Sequence, residues 1–397
     1  MTKNNEIKQA VIFCGGKGSR LGKLTKHNPK PLLTVNHKPF LYHLIKKLEG
    51  QKVKNVILLT GYLDKKFELF KKKYESEFHL ALSNKYLPEE YETALRLKNV
   101  LNELDDQFYI LYGDNYWDGN FQKHNNMIDN FYLVTTLYDT LGHEDGNFKL
   151  DKNLKVIEHS QKKVKNFNHL EMGYMIAKKE PLSIFFESFN KNVKFSDAVF
   201  NEFRKNNQLG VVTTKIRHKS IGTEEGLKNT RKYFNSKKII FLDRDGVLNN
   251  KPKKADYVKS VDEFIWKPGS REALQYLSKK GYKIIIISNQ PGISRGKMSL
   301  KNLQEINKKI IKDLKEYDSK IYDFFYCLHN WNDGCDCRKP KPGLLIQAQD
   351  KYNLKLSDHY FIGDDQRDIE AGENSFTKTV KLSNNETLID KLLKLDL

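Results

Sequence analysis

Cysteine is scarce in this chain, with four in 397 residues, and three of them fall in one stretch, CLHNWNDGCDCRKP, from Cys327 to Pro340. Long hydrophobic runs are missing as well. The longest aliphatic run, Ile284 to Ile287, is far short of a bilayer span, and the opening MTKNNEIKQA lacks the apolar core of a signal peptide. These absences predict a cytoplasmic protein that does not span a membrane. Thiols stay reduced there, so clustered cysteines point to a metal or to catalysis rather than to disulfides. Negative charge is short of positive, 50 acidic residues against 69 basic, for a net charge of +19. The lysines are spread along the whole chain, without a clustered arm or a nucleic-acid-binding motif. That pattern argues against a nucleic-acid partner; it reads first as a lysine-rich background and second as a fit to phosphorylated substrates. There is no internal repeat and no long disordered tract.

What is present reads as two α/β domains, the number that this length suggests. AVIFCGG, VILLTGY and FYILYGD are strands ending in turn residues, with helical patterns such as PFLYHLIKKLEG between them. KKFELFKKKYESEF has the alternation of a solvated amphipathic helix. The polar stretch LKNTRKYFNSKK, Leu227 to Lys238, shows no clear apolar period beyond one turn and is read as the boundary, giving domains 1–232 and 233–397. Then the scheme restarts with IIFLDRDG, YKIIIISNQ and HYFIGDD. Strands alternating with helices predict parallel sheets covered on both faces, with ligands at the carboxyl ends of the strands.

In the second domain, Asp243 and Asp245 stand one residue apart just past a strand. Side chains two positions apart on extended chain share a face, so the two carboxylates would repel unless a divalent cation joined them and a phosphate. One carboxylate can then attack phosphorus; the other can protonate the leaving oxygen and later activate water. Ser288 and Asn289 offer a hydroxyl and an amide at the next strand end. Lys339 offers a fixed cation, and Asp364, Asp365 and Asp368 offer further carboxylates for the metal.

With these four elements in this order, residues 237 to 397 resemble the haloacid dehalogenase phosphatase superfamily, in its histidinol-phosphate and heptose-bisphosphate phosphatase branch. The resemblance implies Asp243 as nucleophile and Asp245 as acid/base. It implies Mg2+ on Asp243, Asp364 and the main-chain oxygen of Asp245, and phosphate on Ser288 and Lys339. Arg338 and the loop GISRGK, which contains Arg295, would lie near substrate. The short span between Asp245 and Ser288 leaves no room for a separate cap domain, which suits a small soluble ester.

Cys327, His329, Cys335 and Cys337 form C-x-H-x5-C-x-C, four soft or borderline ligands suited to a closed tetrahedral Zn2+ site. The same branch of phosphatases carries such a loop. A closed site is structural, and ordering this loop would order Lys339, two residues past the last ligand.

In the first domain, CGGKGSRLGKLTKHNPKPLL places Gly15, Gly16 and Gly18 where backbone can approach phosphate, with Arg20 and Lys30 adding positive charge. It is neither the dinucleotide GxGxxG nor a Walker loop. GGxGSRL followed by NPKPLL resembles the sugar-phosphate nucleotidyltransferases over residues 8 to 230. The resemblance implies attack by a sugar 1-phosphate on the α-phosphate of a nucleoside triphosphate, with Mg2+ on Asp114, Arg20 on the triphosphate and Lys30 beside the reacting phosphates. Three positions depart from that family: Ser220 replaces a metal aspartate, Glu92 a glycine and His159 a lysine. Cys14 reads as a small buried residue.

The two resemblances together imply an N-terminal nucleotidyltransferase Rossmann-like sheet and a C-terminal haloacid-dehalogenase-like sheet with a zinc loop. The joint expectation is hydrolysis of the 7-phosphate of D-glycero-D-manno-heptose 1,7-bisphosphate, then nucleotidyl transfer (GMP first among candidates) to the 1-phosphate, feeding a surface polysaccharide. Histidinol phosphate is the rival substrate. A nucleotide-sugar-sensing, non-catalytic N-terminal domain is the rival organisation.

Overall fold

The five residues of strand Gln9–Phe13 are all buried, as a central strand covered on both faces requires. The strand pairs in parallel with Asn55–Thr60 on one side and Gln107–Tyr112 on the other, and Ala81–Tyr86 extends the parallel block past Asn55–Thr60. The computed structural model describes residues 6–235, 237–253, 256–383 and 385–397. It divides into two units between Arg231 and Lys232. In the first unit the sheet has nine strands among the described residues. Beyond Gln107–Tyr112 it turns antiparallel through His169–Lys178, which also pairs with Leu133–Asp139. This extension is not foreseen from sequence. Its outer strand Val156–Val164 is half exposed and polar at most positions, so it lacks the continuous apolar run that marks the parallel strands.

The helices follow from spacing. Phe40–Gly50 buries Phe40, Leu41, Leu44, Ile45 and Leu48, and Lys65–Tyr74 buries Phe67, Phe70 and Tyr74, one stripe each. The stretch read as a boundary is largely a helix, Glu224–Phe234. Leu227, Thr230, Tyr233 and Phe234 are buried, a stripe masked in sequence by a threonine and six surrounding polar residues.

Among the described residues, the second unit has a five-stranded, wholly parallel sheet in the order Ile321–Cys327, Lys283–Asn289, Ile239–Leu242, Tyr360–Gly363, Lys378–Lys381. Its side chains sort to two faces with period two. Ile240, Leu242, Ile284 and Ile286 join one apolar cluster with Leu274, Leu277, Leu303 and Ile306. Ile239, Phe241, Ile285 and Ile287 join the other with Leu344, Leu345 and Ala348. The first strand of each unit is therefore central, with later strands on both sides. Its carboxyl end is the point where strand order reverses, which is where ligands bind in such sheets. No helix among the described residues is long and apolar enough to cross a membrane.

Candidate active sites

Asp243 leaves the central strand of the second unit with its N–H on the Ile362 carbonyl, 2.9 Å away. Its carboxylate accepts from Lys339 Nζ at 2.8 Å. That ammonium, 4% exposed, also meets Asp368 Oδ1 at 2.6 Å and the Ile287 carbonyl at 2.9 Å. Burial, with Asp368 and Asp245 nearby, pushes the Asp243 carboxyl up to about 7 against the pull of Lys339. The two carboxylates outweigh the effect of burial on Lys339 and hold it protonated, up to about 12.

Asp243, Asp364 and Asp368 bring carboxylate oxygens within 4.8 Å of one another. Asp364 Oδ2 accepts from Lys251 at 2.7 Å, while its Oδ1 is buried with no hydrogen-bond partner among the described residues. Gly246 makes this approach possible: it sits at φ 97°, and a Cβ there would lie 2.3 Å from Asp364 Oδ2. Clustered carboxylates with an orphaned buried oxygen are the donor set a hard divalent cation takes.

The geometry corrects the expected Asp243–Asp245 pairing. The Asp245 side chain is not in the carboxylate cluster. Its oxygens accept from Arg244 Nε (3.1 Å) and Nη2 (3.0 Å), Asn249 Nδ2 (3.0 Å) and Gln290 Nε2 (2.9 Å). Burial opposes ionisation of Asp245, but these donors outweigh it and hold the carboxyl below its usual range. Two buried cations, Lys339 and Arg244, thus separate the charges that sequence reasoning assigned to one dication. Asp365 and Asp368 also have other duties: both belong to the capping box of helix Gln366–Asn374, and Asp365 is gripped by Arg367 at 2.9 and 3.0 Å.

Ser288, next to last in its strand, is buried, its Oγ accepting from Gln290 Nε2 at 3.0 Å. Asn289, expected to face phosphate, instead uses both ends of its amide on the Lys339 backbone, at 3.0 Å each, and so fixes the lysine. A cavity of ≈ 1090 Å³ opens over Asp243, Asp245, Ser288, Arg338, Lys339 and Asp364. Tyr257 and Trp331 stand in its wall, and Arg295 donates to Tyr257 Oη at 2.8 Å while stacking 4.5 Å above Trp331. The Arg338 Nη1 is buried without a partner among the described residues.

Cys327, His329, Cys335 and Cys337 also lie within 4.8 Å of one another. Cys327 Sγ is 3.7 Å from Cys335 Sγ and 3.7 Å from His329 Nδ1, which is 3.2 Å from Cys337 Sγ. A tetrahedron with zinc–sulfur bonds of about 2.3 Å has S···S edges of about 3.8 Å, so the residues present fit a closed zinc site.

In the first unit the loop after the central strand holds Gly15 buried and Gly16 exposed. A Cβ on Gly15 would lie 2.3 Å from the Arg96 guanidinium carbon. Arg96 is buried and donates to the carbonyls of Thr60 (2.6 Å), Tyr91 (2.7 Å) and Pro88 (2.9 Å), fixing the opposite wall. Lys30 Nζ pairs with Asp114 Oδ2 at 2.9 Å, and a cavity of ≈ 340 Å³ is lined by Gly15, Gly16, Lys30, Glu92, Tyr112 and Asp114. Arg20 is exposed; a Cβ on Gly222 would lie 3.4 Å from both Arg20 Nη2 and Ser220 Oγ. Ser220 pairs with Asn115, next to Asp114. Cys14 is buried, and burial with Asp114 nearby pushes its thiol up, away from nucleophilic use. His159 packs in an aromatic cluster, 4.6 Å from Phe148 and 5.1 Å from Phe200, and burial lowers it to about 4, so it supplies no cation.

Sequence reasoning missed Glu171. It is half-buried, accepts from the Gly173 N–H at 2.6 Å, and is pushed up to about 7 by desolvation and by Asp114. The available signal is EMGY, an acid two residues before a glycine at φ 78° inside a strand run. Gln290 was missed because its partner Asp245 lies 45 positions away in the chain; Arg244, whose partner is the adjacent Asp245, was passed over as a residue between two carboxylates.

Two family models match the chain: Nucleotidyl transferase over residues 9–132 and Polynucleotide kinase 3 phosphatase over residues 238–385. The first domain is similar to nucleotidyltransferases over residues 9–132, and the fold and motifs of the second are those of a haloacid-dehalogenase-like phosphatase. The second part is 38% identical over 134 residues to D-glycero-beta-D-manno-heptose-1,7-bisphosphate 7-phosphatase of Neisseria meningitidis, covering 34% of this chain and 71% of the relative. The enzyme of that name from Pseudomonas aeruginosa is 40% identical over 136 residues, 34% of this chain and 75% of the relative. The D-glycero-alpha-D-manno-heptose-1,7-bisphosphate 7-phosphatase of Campylobacter jejuni is 36% identical over 149 residues, 38% and 84%. Through this part, the chain belongs to the D-glycero-D-manno-heptose-1,7-bisphosphate 7-phosphatase family. Among solved structures, the D,D-heptose 1,7-bisphosphate phosphatase from B. bronchiseptica, complexed with magnesium and phosphate, aligns with TM-score 0.36 and 32% identity, over 40% of this chain and 86% of that one. HddC from Yersinia pseudotuberculosis aligns with TM-score 0.49 and 22% identity, over 57% and 98%.

Proposed function

We propose that the second domain removes the 7-phosphate of D-glycero-D-manno-heptose 1,7-bisphosphate and that the first transfers a nucleotidyl group, GMP first among candidates, to the remaining 1-phosphate. The observation that carries this reading is the meeting of Asp243, Lys339 and Asp364 in one large cavity, on a chain of this phosphatase family. Asp243 attacks phosphorus, Lys339 and Ser288 hold phosphate oxygens, and Asp245 protonates the leaving oxygen and then takes a proton from the water that hydrolyses the aspartyl phosphate. Asp243, Asp364 and the main-chain oxygen of Asp245 would hold Mg2+, which when bound neutralises the crowded carboxylates and the ester. Cys327, His329, Cys335 and Cys337 would hold Zn2+, which orders the loop carrying Arg338 and Lys339. In the first domain the Gly15 and Gly16 amides, Arg20 and Lys30 take the triphosphate, and Asp114 would hold Mg2+.

A second reading, in which the first domain senses a nucleotide sugar without turnover, is favoured by Ser220 at the position of the second metal carboxylate. Incubation with the α or β anomer of the bisphosphate, Mg2+ and each nucleoside triphosphate separates the two. The proposal expects phosphate and pyrophosphate release together. Phosphate alone favours the sensor reading, and neither product rejects both.

A further inference from the structure

In its ionised form the Asp245 carboxylate can only accept, and it becomes an acid once it has taken the proton of the hydrolytic water. All four of its hydrogen bonds come from donors, Arg244 and Asn249 on Oδ1, Arg244 and Gln290 on Oδ2. Gln290 differs from the other two residues in what else it touches. Its Nε2 donates both to Asp245 Oδ2 at 2.9 Å and to Ser288 Oγ at 3.0 Å, one hydrogen for each. Because Ser288 Oγ accepts from Gln290, its own hydrogen is free to point at the cavity that Ser288 and Asp245 both line. Gln290 itself is 1% exposed and is not in the cavity wall. Its backbone N–H is tied to the Cys327 carbonyl at 2.7 Å, so its place is set by the strand that leads into the thiol cluster.

We propose that Gln290 is a positioning residue: its amide couples the phosphate-binding Ser288 hydroxyl to the Asp245 carboxyl and aims the latter at the leaving oxygen. This rests on the reading of Asp245 as acid/base. In the first transfer the Asp243 Oδ–P bond forms and the ester P–O bond breaks, and the proton on Asp245 passes to the departing alkoxide. In the second, water attacks phosphorus, its proton passes to Asp245, and the acyl-phosphate P–O bond breaks to restore Asp243. A group that aims the acid therefore matters most when the leaving oxygen needs a proton.

The test compares two esters on one protein. Heptose 1,7-bisphosphate loses a primary alkoxide at C7, whereas p-nitrophenyl phosphate loses a phenoxide that departs unprotonated. For Gln290→Met, which keeps the volume and removes the donors, kcat on the sugar ester should fall roughly tenfold to a hundredfold, within the range of general acid catalysis. On p-nitrophenyl phosphate it should fall less than about threefold. Gln290→Asn, too short to bridge both partners, should give the same split. The ratio of the two esters is independent of the folded fraction, so a partly unfolded variant still reports. Equal losses on both esters, or no loss on either, overturn the proposal. Wild-type protein that hydrolyses neither ester rejects the phosphatase reading beneath it.

Discussion

The two domains place their chemistry at the same topological address and equip it differently. In each, the first strand is central, and the loop after it opens where strand order reverses. The first domain fills that loop with glycines and bare backbone, beside an exposed Arg20 and the Lys30–Asp114 and Lys17–Glu89 pairs. The second fills it with carboxylates, each held by a buried cation: Asp243 by Lys339 and Asp245 by Arg244. The contrast teaches that binding a polyanion needs mobile or exposed donors, whereas attack by a carboxylate needs that carboxylate aimed and its charge balanced in a dry site. In the first domain Ser220 pairs with Asn115, next to Asp114, and the buried His159 supplies no charge.

The contrast breaks most sharply at the nucleophile. Asp243→Asn should lower phosphate release about 10⁴-fold or more, while pyrophosphate release from sugar 1-phosphate and triphosphate stays within about twofold. A parallel loss of both products would show that the domains do not act separately. Lys30→Ala should do the converse, lowering pyrophosphate release roughly 10²–10³-fold, the scale of one lost donor to a reacting phosphate, and sparing phosphate release. Cys335→Ala, or zinc removal by a chelator, should lower phosphatase kcat about 10–100-fold by loosening the loop around Lys339, with zinc content measured on the same sample. Full activity in a zinc-free variant would reject that link.

Smaller effects sharpen the view of the first domain. Ser220→Asp should raise transferase activity at limiting Mg2+ by a few fold, since a carboxylate would join Asp114; unchanged Mg2+ dependence would mean that Ser220 does not face the metal. His159 should make the first domain acid-labile. Its folded value is lowered from 6.5 to about 4, so between those values the unfolded chain binds a proton that the folded chain refuses. Stability is therefore whole above about pH 6.5 and falls as pH drops through that window. His159→Phe should raise the Tm at pH 5 by about 2–4 °C relative to wild type, and not at pH 7.5.

Much of this was legible because it is local. Runs such as IIFLD and FYILY mark buried strands by composition, and GGxGSR, DRDG and C-x-H-x5-C-x-C keep their chemistry within a few residues of one another. Asn289 shows the limit: its amide looks free at a strand end in sequence, yet it clamps the Lys339 backbone 50 positions away. The antiparallel strands of the first sheet were hidden for a related reason. The outermost, Val156–Val164, is half solvated, and partners decide such strands more than composition does.

By itself the sequence determined which residue types stand at each strand end, and so the two kinds of chemistry and the metal each donor set would take. Only the tertiary structure decided who neutralises whom. Pairing between buried charges depends on distances between segments far apart in the chain, and desolvation makes each pairing costly to leave unmade. That is why Asp243 turned out to belong to Lys339 and Asp368, and Asp245 to the distant Gln290 as well as to its chain neighbours Arg244 and Asn249, rather than to each other.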